Sequence, residues 1–595
     1  MTEAGTEVGI GAKAEAGTET GGSLVGGDVH EVQQRQAAGG KPAAYDVVIM
    51  GGGLAGLTLA LQLKQRLPHL NILILERRPH PVAAAAHKVG ESTVEIAAHY
   101  FGQVLGLEPY LQEHQLKKFG FRFFFSDGRE DLDQVTELGA STFLPTPSYQ
   151  LDRGLFENDL ARRVAEQGCR FLDDAVVRRF DLSNGESDAP GDGHRIVYER
   201  AGEQHEVRAR WLVDACGRAN LIKRKLGLEE ENDHRAGAVW FRIDERIDID
   251  EWSTDPAWLG RANPPNRWLS TNHLVGEGYW AWLIPLASGA HSVGIVADTT
   301  MHPIETINSF DKTMEWLRVH QPQLHRDIDS KRDKLLDFAW FKRFSHGCKQ
   351  VFCGRQRWAI TGEAGVFLDP FYSPGSDFIA ISNTYVTDLV RLDLEKAPLQ
   401  MIARMYEQIY FSLYRNMLPI YVGQYPIFAD AQVMPVKVIW DYTFYWGVLC
   451  PLFIQNRLTD LPKMAKLQAQ LARIEQLNIA VQAFMRAWSS MTGREHNPPQ
   501  LLDQAALGWF ADMNRGLTDK LDGEQFDALI RSSAEVLEEL AAEIVASATA
   551  RHSGLDGSGV LALLPPGVQP RDRLFPNGLA PGAAGTAVNR MVSHG

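Results

Sequence analysis

The chain has 595 residues, 45% of them hydrophobic and 23% charged, which is the composition of a soluble globular protein with enough chain for a sizeable core. Its formal net charge of -14 at pH 7 argues against nucleic acid as a partner, because nucleic-acid binding needs a basic surface, and it also disfavours binding to an anionic membrane. Five scattered cysteines without a C-x-x-C pair favour reduced thiols in the cytoplasm over a disulfide framework or a metal site.

Composition divides the chain into four parts. Residues 1–43 are rich in Gly, Ala, Glu and Thr, lack the apolar core of a signal peptide, and are predicted to be disordered. Residues 44–397 carry the motifs described below, residues 398–551 read as a helical C-terminal region that serves as a substrate lid or pocket wall, and residues 552–595 as a flexible tail. The longest uncharged aromatic run, residues 442–455, is too short for a transmembrane segment and contains Pro451.

The strongest motif is the sequence AYDVVIMGGGLAGL at residues 44–57. An apolar strand at residues 46–50 runs directly into Gly51-x-Gly53-x-x-Gly56 and a helix to residue 66. Gly51 permits the tight turn, Gly53 lets the backbone approach phosphate oxygens, and Gly56 allows close packing of helix on strand. A second strand ends at Glu76, where a carboxylate would bind a ribose hydroxyl. Together these elements predict a Rossmann-type unit that binds a pyrophosphate-containing cofactor.

The remaining pattern predicts an α/β fold with an antiparallel substrate-side sheet and a helical C-terminal region. Residues 116–125 read as one strand on which Lys118, Gly120 and Arg122 form a polar face between phenylalanines. Alternation over residues 237–296 predicts the antiparallel sheet, and Asp152 is the expected cap of a helix at residues 154–166. Further helices are predicted at residues 304–320, 378–392, 462–492, 522–531 and 532–550, the last opened by a Ser532/Glu535 capping box.

The Rossmann unit, D-A-x-G-R at residues 214–218 and G-E-A-x-x-x-x-D-P at residues 362–370 occur in the order that resembles the FAD-dependent monooxygenases. This resemblance implies one extended FAD-binding domain. The acid of the third segment is Glu363, where the class usually has Asp. The implied cofactor-binding residues are Gly51, Gly53, Gly56, Glu76, Arg153, Asp214, Glu363 and Gly375.

Within that class, three segments resemble the flavin-dependent halogenases of the tryptophan-halogenase type. Residues 280–285 match W-x-W-x-I-P, residues 367–375 match F-x-x-P-x-x-S-x-G, and residues 118–123 resemble the segment that carries the family's essential lysine. The resemblance implies that Trp280 and Trp282 keep organic substrate away from the flavin and that Ser373 and Gly375 hold the halide. It also implies that Lys118, rather than its neighbour Lys117, delivers the oxidant.

The implied activity is that of an FADH2-dependent halogenase of secondary metabolism. Reduced FAD from a separate flavin reductase, O2 and chloride or bromide would give hypohalous acid, which Lys118 hydrogen-bonds or carries as a haloamine. Glu91 is the expected partner of Lys118, either orienting it or handling its proton. The substrate would be an electron-rich aromatic or heteroaromatic ring, free or tethered to a carrier protein.

The sequence is also compatible with two other functions. One is an FAD-dependent hydroxylase or epoxidase in which Lys118 has no role. The other is a flavin-binding sensor or scaffold without turnover, for which Glu363 and the non-proline residue after Glu91-Ser92-Thr93 leave room.

Overall fold

Two large sheets form the centre of the computed structural model, which describes residues 8–10, 42–86, 88–126, 131–186, 192–262, 266–493 and 499–574. The strands, β1 to β21 in chain order, are Val8–Ile10, Ala43–Met50, Ile72–Leu75, Leu116–Lys117, Phe121–Phe125, Thr136–Gly139, Tyr149–Gln150, Arg170–Leu172, Val176–Asp181, His194–Arg200, Glu203–Asp214, Glu229–Glu231, Ala236–Ile243, Thr271–Gly276, Tyr279–Pro285, His291–Asp298, Leu335–Phe341, His346–Cys348, Phe352–Cys353, Trp358–Ile360 and Leu501–Asp503.

The helices surround these sheets and make up most of the C-terminal third. In chain order, α1 to α16 are Leu54–Arg66, Glu95–His99, Glu108–His114, Arg153–Glu166, Leu221–Leu226, Pro256–Leu259, Phe310–His320, Pro322–Ser330, Gly375–Leu394, Leu399–Met417, Val433–Phe444, Cys450–Ile454, Leu461–Ser489, Gly508–Gly516, Gly523–Arg551 and Ser558–Leu561. Wider π-helical turns at Tyr100–Val104 and Tyr445–Leu449 follow α2 and α11.

The first sheet has the order β19-β20-β11-β2-β3-β8, and β2 pairs in parallel with both β11 and β3. All four residues of β3 are buried, as expected of a parallel strand covered on both faces. The hairpin β9-β10 extends from β11. This sheet confirms the predicted Rossmann-type domain, and its carboxyl ends face the site described below.

The second sheet has nine strands in the order β1-β17-β13-β16-β15-β14-β5-β6-β21. Strands β13 to β16 pair antiparallel, which confirms the predicted substrate-side sheet. Successive residues of β15 face opposite sides, so that Trp280 and Trp282 enter the large core shared with the first sheet, whereas Ala281 and Leu283 enter a smaller core behind it.

Two sequence predictions about the edges of this sheet need correction. Residues 116–125 are not one strand, because Gly120 adopts a φ of +72° between β4 and β5. They present no polar face either, since Arg122 is fully buried in an ion pair with Glu137. Of the segment predicted to be disordered, Val8–Ile10 pairs with β17, and most of the remainder lies outside the described residues.

The helical region keeps its predicted character but not all of its boundaries. The long helix predicted at residues 462–492 is α13, capped by Asp460. The two helices predicted after residue 522 are one continuous helix, α15, whose capping box is formed by Asp522 and Gln525 rather than by Ser532 and Glu535. The residues on either side of Ser532 are helical, so its side chain has no helix start to cap.

The five cysteines are all free thiols. In the described part of the chain, no helix is both long and apolar enough to cross a bilayer.

Candidate active site

A cavity of about 540 Å³ opens at the carboxyl ends of the parallel strands, between the two sheets. Its lining joins five groups that are far apart in sequence. These are the glycine turn, Glu76 with the arginines after it, the turn at residues 215–219, the Trp280/Trp282 pair and residues 366–376.

The glycine turn has the geometry that its spacing predicts. Gly51 has a φ of +107°, and a side chain there would overlap the Ala215 carbonyl. A methyl group on Gly56 would overlap the carbonyl oxygen of Gly51, so the close approach of α1 to the turn requires glycine. Gly53 differs, because a methyl group there meets nothing within 4 Å and points into open space. An open cradle of this kind is where phosphate oxygens can approach the backbone and the first turn of α1.

Glu76 fixes the next part of the site. Its carboxylate accepts hydrogen bonds from the amides of Gly52 at 2.7 Å and Arg78 at 2.8 Å. The carboxylate is therefore held beside the glycine turn, in the cavity lining, where it can still accept from a ribose hydroxyl.

Asp214 has a different position from the one the motif suggested. It is fully buried, is not part of the cavity lining, and accepts from the amides of Cys216 at 3.0 Å and Ile222 at 2.7 Å. Burial raises the pKa of this carboxyl group. Asp214 therefore shapes the turn at residues 215–219, which does line the cavity.

Two of the predicted cofactor-binding residues bring charge to the lining. Arg153 donates to the carbonyl of Val89 at 2.6 Å and to Glu157 at 2.5 Å, and Glu157 also pairs with Lys88. Glu363, also in the lining, lies 3.6 Å from Arg218, whose guanidinium has its pKa lowered by burial. Both positions can bind polar groups of a dinucleotide.

Trp280 and Trp282 form one aromatic wall of the cavity. Their ring centroids are 5.6 Å apart and their exposed fractions are 1% and 3%. Each indole N–H is held, that of Trp280 by the Tyr425 hydroxyl at 3.0 Å and that of Trp282 by Ser292 at 3.1 Å. Fixed hydrogen bonds and tight burial leave the two rings little freedom to turn aside.

The Trp280 contact continues to the predicted halide segment. The Tyr425 hydroxyl donates to Asp369 at 2.6 Å, and His234 lies at 2.6 Å from the same carboxylate oxygen. The Asp369 carboxylate also accepts from the amide of Phe371 at 2.8 Å. No sequence motif predicted this network, which connects one indole to the turn that leads to Ser373.

Ser373 and Gly375 both line the cavity, and Ser373 adopts a φ of +55°. The Ser373 amide already donates to the carbonyl of Pro370 at 2.9 Å. The groups that remain for an anion are therefore the Ser373 hydroxyl and the amides of the first turn of α9, which starts at Gly375.

Lys118 lies beyond the cavity lining and is 4% exposed. Its Nζ donates to Ser92 Oγ and to the carbonyl of Thr93, both at 3.0 Å, and lies 3.3 Å from the centroid of Phe121. Burial lowers the pKa of the amine well below its usual value. Ser92 lines the cavity, so its hydroxyl connects the amine to the cavity wall. The neighbouring Lys117 is exposed.

Glu91 was expected to be the partner of Lys118, but its carboxylate accepts from Arg242 at 2.8 and 3.0 Å. The carboxylates whose charge acts on Lys118 are Glu95 and Asp377. Burial raises the pKa of both, that of Asp377 to about 8. Sequence reasoning missed both residues. Glu95 could have been considered as a partner of Lys118, because it lies only four positions after Glu91, the carboxylate that was.

The lining fits FAD. The open backbone at Gly53, the Glu76 carboxylate and the polar side chains of Arg153 and Glu363 would hold the pyrophosphate, ribose and ribityl parts of that cofactor. The Trp280/Trp282 pair and residues 366–376, in the same lining, would border the flavin ring.

Sequence comparisons find an FAD-binding domain in this chain and several halogenases that are similar to it. The family model described as the FAD binding domain matches residues 44–290. Flavin-dependent halogenase chlA of Dictyostelium discoideum is 27% identical over 72% of this chain and 75% of its own length. A 1H-pyrrole-2-carbonyl-(peptidyl-carrier protein) chlorinase of Pseudomonas fluorescens is 26% identical over 56% and 72%, and tetracycline 7-halogenase of Kitasatospora aureofaciens is 28% identical over 57% and 61%.

Among solved structures, the halogenase PltM has a TM-score of 0.55 at 17% identity and covers 88% of this chain and 99% of its own. At this identity the likeness shows a shared fold. The chain therefore contains an FAD-binding domain, and its sequence is similar to those of flavin-dependent halogenases.

Proposed function

We propose that this chain uses FADH2, O2 and chloride or bromide to make hypohalous acid, and that it passes this oxidant to an electron-rich aromatic or heteroaromatic substrate. The observation that carries the proposal is the position of Lys118, which is buried behind the cavity wall and joined to it through Ser92. Reduced FAD, when bound, supplies the electrons with which O2 is activated to oxidise the halide.

The indole pair excludes a bulky substrate from the flavin, so the reaction requires an oxidant small enough to pass. Trp280 and Trp282 are buried, held by hydrogen bonds and packed across the cavity, so a bulky ring cannot reach the flavin end past them. A halide ion is small enough to reach Ser373 and the first turn of α9, where a hydroxyl and backbone amides stabilise it.

Lys118 then acts on the oxidant. Burial favours the neutral amine, which can attack hypohalous acid to form a haloamine and water, and the protonated amine can hydrogen-bond the same molecule. Both routes place the electrophile on the Lys118 side of the wall. Glu91, bound to Arg242, takes no direct part in either route and holds the segment that leads to Ser92.

The proposal includes two partners. One is a flavin reductase, since the sequence has no second G-x-G-x-x-G motif for a nicotinamide nucleotide. The other is the substrate, free or tethered to a carrier protein as in the pyrrole-carrier relatives.

Turnover of the purified chain tests the proposal. FAD, a flavin reductase, NADH, O2 and NaCl or NaBr are supplied with a panel of phenols, indoles, pyrroles and a pyrrole thioester on a carrier protein. We expect a halogenated product whose formation requires both halide and FAD. A hydroxylated product formed equally well without halide would show a hydroxylase instead.

A further inference from the structure

Glu95 is a buried carboxylate next to Lys118 that the proposed function leaves without a task. It is 4% exposed, and its Oε2 has no hydrogen-bond partner among the described residues. Its other oxygen accepts only a long hydrogen bond, from the Asn514 amide at 3.4 Å. An unpaired buried acceptor is destabilising, more so if it is charged, so a group that is present only during turnover can supply the missing partner.

The orientation of the Asn514 amide is fixed from behind. The Thr146 amide donates to its side-chain oxygen at 2.9 Å, and the Thr146 hydroxyl donates to its backbone carbonyl at 2.7 Å. The NH2 group of Asn514 must therefore face Glu95. This arrangement holds the Glu95 carboxylate in place and leaves Oε2 directed away from Asn514.

A buried donor lies beside this acceptor. The Trp446 indole N–H is directed toward Glu95 and lowers its pKa, but it does not complete a hydrogen bond with any described residue. Trp446 is 1% exposed. The region next to Lys118 thus contains one acceptor and one donor that are both unsatisfied.

Aromatic rings surround these two groups. Tyr442 lies with its ring centroid 6.1 Å from that of Phe121 and 4.7 Å from that of Trp446, and Phe510 lies 4.5 Å from Trp446. Such rings pack well against a flat aromatic ligand. The further carboxylate at this junction, Asp377, is already engaged by the amide of Ala97 and the hydroxyl of Tyr445.

We infer that Glu95 accepts the hydroxyl proton of a phenolic substrate, whose oxygen accepts a hydrogen bond from Trp446. A phenol hydroxyl both donates and accepts through one oxygen atom, so it satisfies both groups at once. The N–H of a pyrrole or indole only donates, and it would leave Trp446 unpaired. This inference rests on the proposed function and narrows its substrate class to phenols.

The phenol O–H proton moves to Glu95, and the ring carbon forms a bond to halogen as the halogen–oxygen bond of hypohalous acid breaks and releases hydroxide. Hydroxide takes the proton from Glu95 and becomes water. The ring carbon then loses its own proton and the oxygen regains one, so that phenol and hypohalous acid give halophenol and water.

The main test is Glu95→Gln, which keeps the shape and can still pair with Asn514. Removing a general base typically costs 10²- to 10⁴-fold, so we expect halogenation of a neutral phenol to fall about 100-fold. The loss should shrink to under about 5-fold for a phenol that is already ionised at the assay pH. A diketone trap should record unchanged formation of hypohalous acid. The matched control is Glu407→Gln, because Glu407 is also a carboxylate, is partly buried and accepts from the amides of Val351 and Phe352. This control should halogenate neutral and ionised phenols at the wild-type rates.

A binding measurement tests the role of Glu95 in recognising the phenol hydroxyl without requiring turnover. The wild-type protein loaded with FAD should bind a phenol about 10-fold more tightly than its methyl ether, and both Glu95→Gln and Trp446→Phe should reduce this preference. Equal losses for neutral and ionised phenols, or an unchanged preference in both variants, would overturn the inference. If no preparation yields trapped oxidant, the proposed function fails, while the preference for phenol over ether still tests Glu95.

Discussion

Lys118→Met separates the making of the oxidant from its use. The substitution removes the amine but retains an unbranched side chain of similar length, so the space beside Phe121 stays filled. We expect hypohalous acid formation to stay within about 2-fold of wild type, because Lys118 is not part of the cavity lining. Halogenated product should fall at least about 100-fold, the usual effect of removing a group that stabilises reacting charge.

The same substitution should not destabilise the protein. Lys118 loses two hydrogen bonds, worth about 1 kcal/mol each, but the Ser92 hydroxyl keeps its contact with Thr271 at 2.9 Å. Against this loss, the amine no longer has to be desolvated, and Glu95 and Asp377 need not be left as unpaired charges, because burial raises the pKa of both carboxyl groups and so favours their protonated form. The net expectation is a free energy of unfolding within about 2 kcal/mol of wild type.

The assay compares trapped oxidant, halogenated product and thermal unfolding for wild type, Lys118→Met and the exposed control Lys117→Met. Wild-type product yield in Lys118→Met would refute the role of the amine. A large drop in stability would refute the view that this lysine is kept for chemistry rather than for folding.

Trp280→Ala should raise the ratio of trapped oxidant to halogenated product and lower stability by about 3–5 kcal/mol, whereas unchanged partition would show that the indole is no barrier. Gly53→Ala should leave unfolding of the FAD-free protein unchanged but weaken FAD binding in a titration, while Gly56→Ala should lower stability by about 2 kcal/mol, because only the second methyl group meets protein atoms. Burial raises the pKa of Asp377 to about 8, so the folded state holds a proton that the unfolded state releases above about pH 4, and wild-type stability is lost as pH rises through this window. Asp377→Asn should therefore gain in urea unfolding relative to wild type between pH 5 and pH 8, and an equal difference at both would contradict the assignment.

Local sequence determined the cofactor half of this protein. The strand, the three glycines and Glu76 lie within about 30 residues, and their geometry depends on contacts that the motif itself makes, such as the meeting of Gly56 with the Gly51 carbonyl. The spacing of two in Trp280-Ala-Trp282 likewise fixed that both indoles share one face of a strand. These features could be predicted because their physical causes are short in range.

The surroundings of Lys118 were decided only by the tertiary structure. Glu91 was the expected partner, yet Arg242 of β13 binds Glu91, while the charges of Glu95 and of Asp377, near the start of α9, act on the amine. Asp214, expected to bind the cofactor, is likewise buried, and its carboxylate accepts hydrogen bonds from the amides of Cys216 and Ile222. Which carboxylate meets which cation depends on how distant elements pack and which side chains lose their water, and neither quantity can be read from the local order of residues.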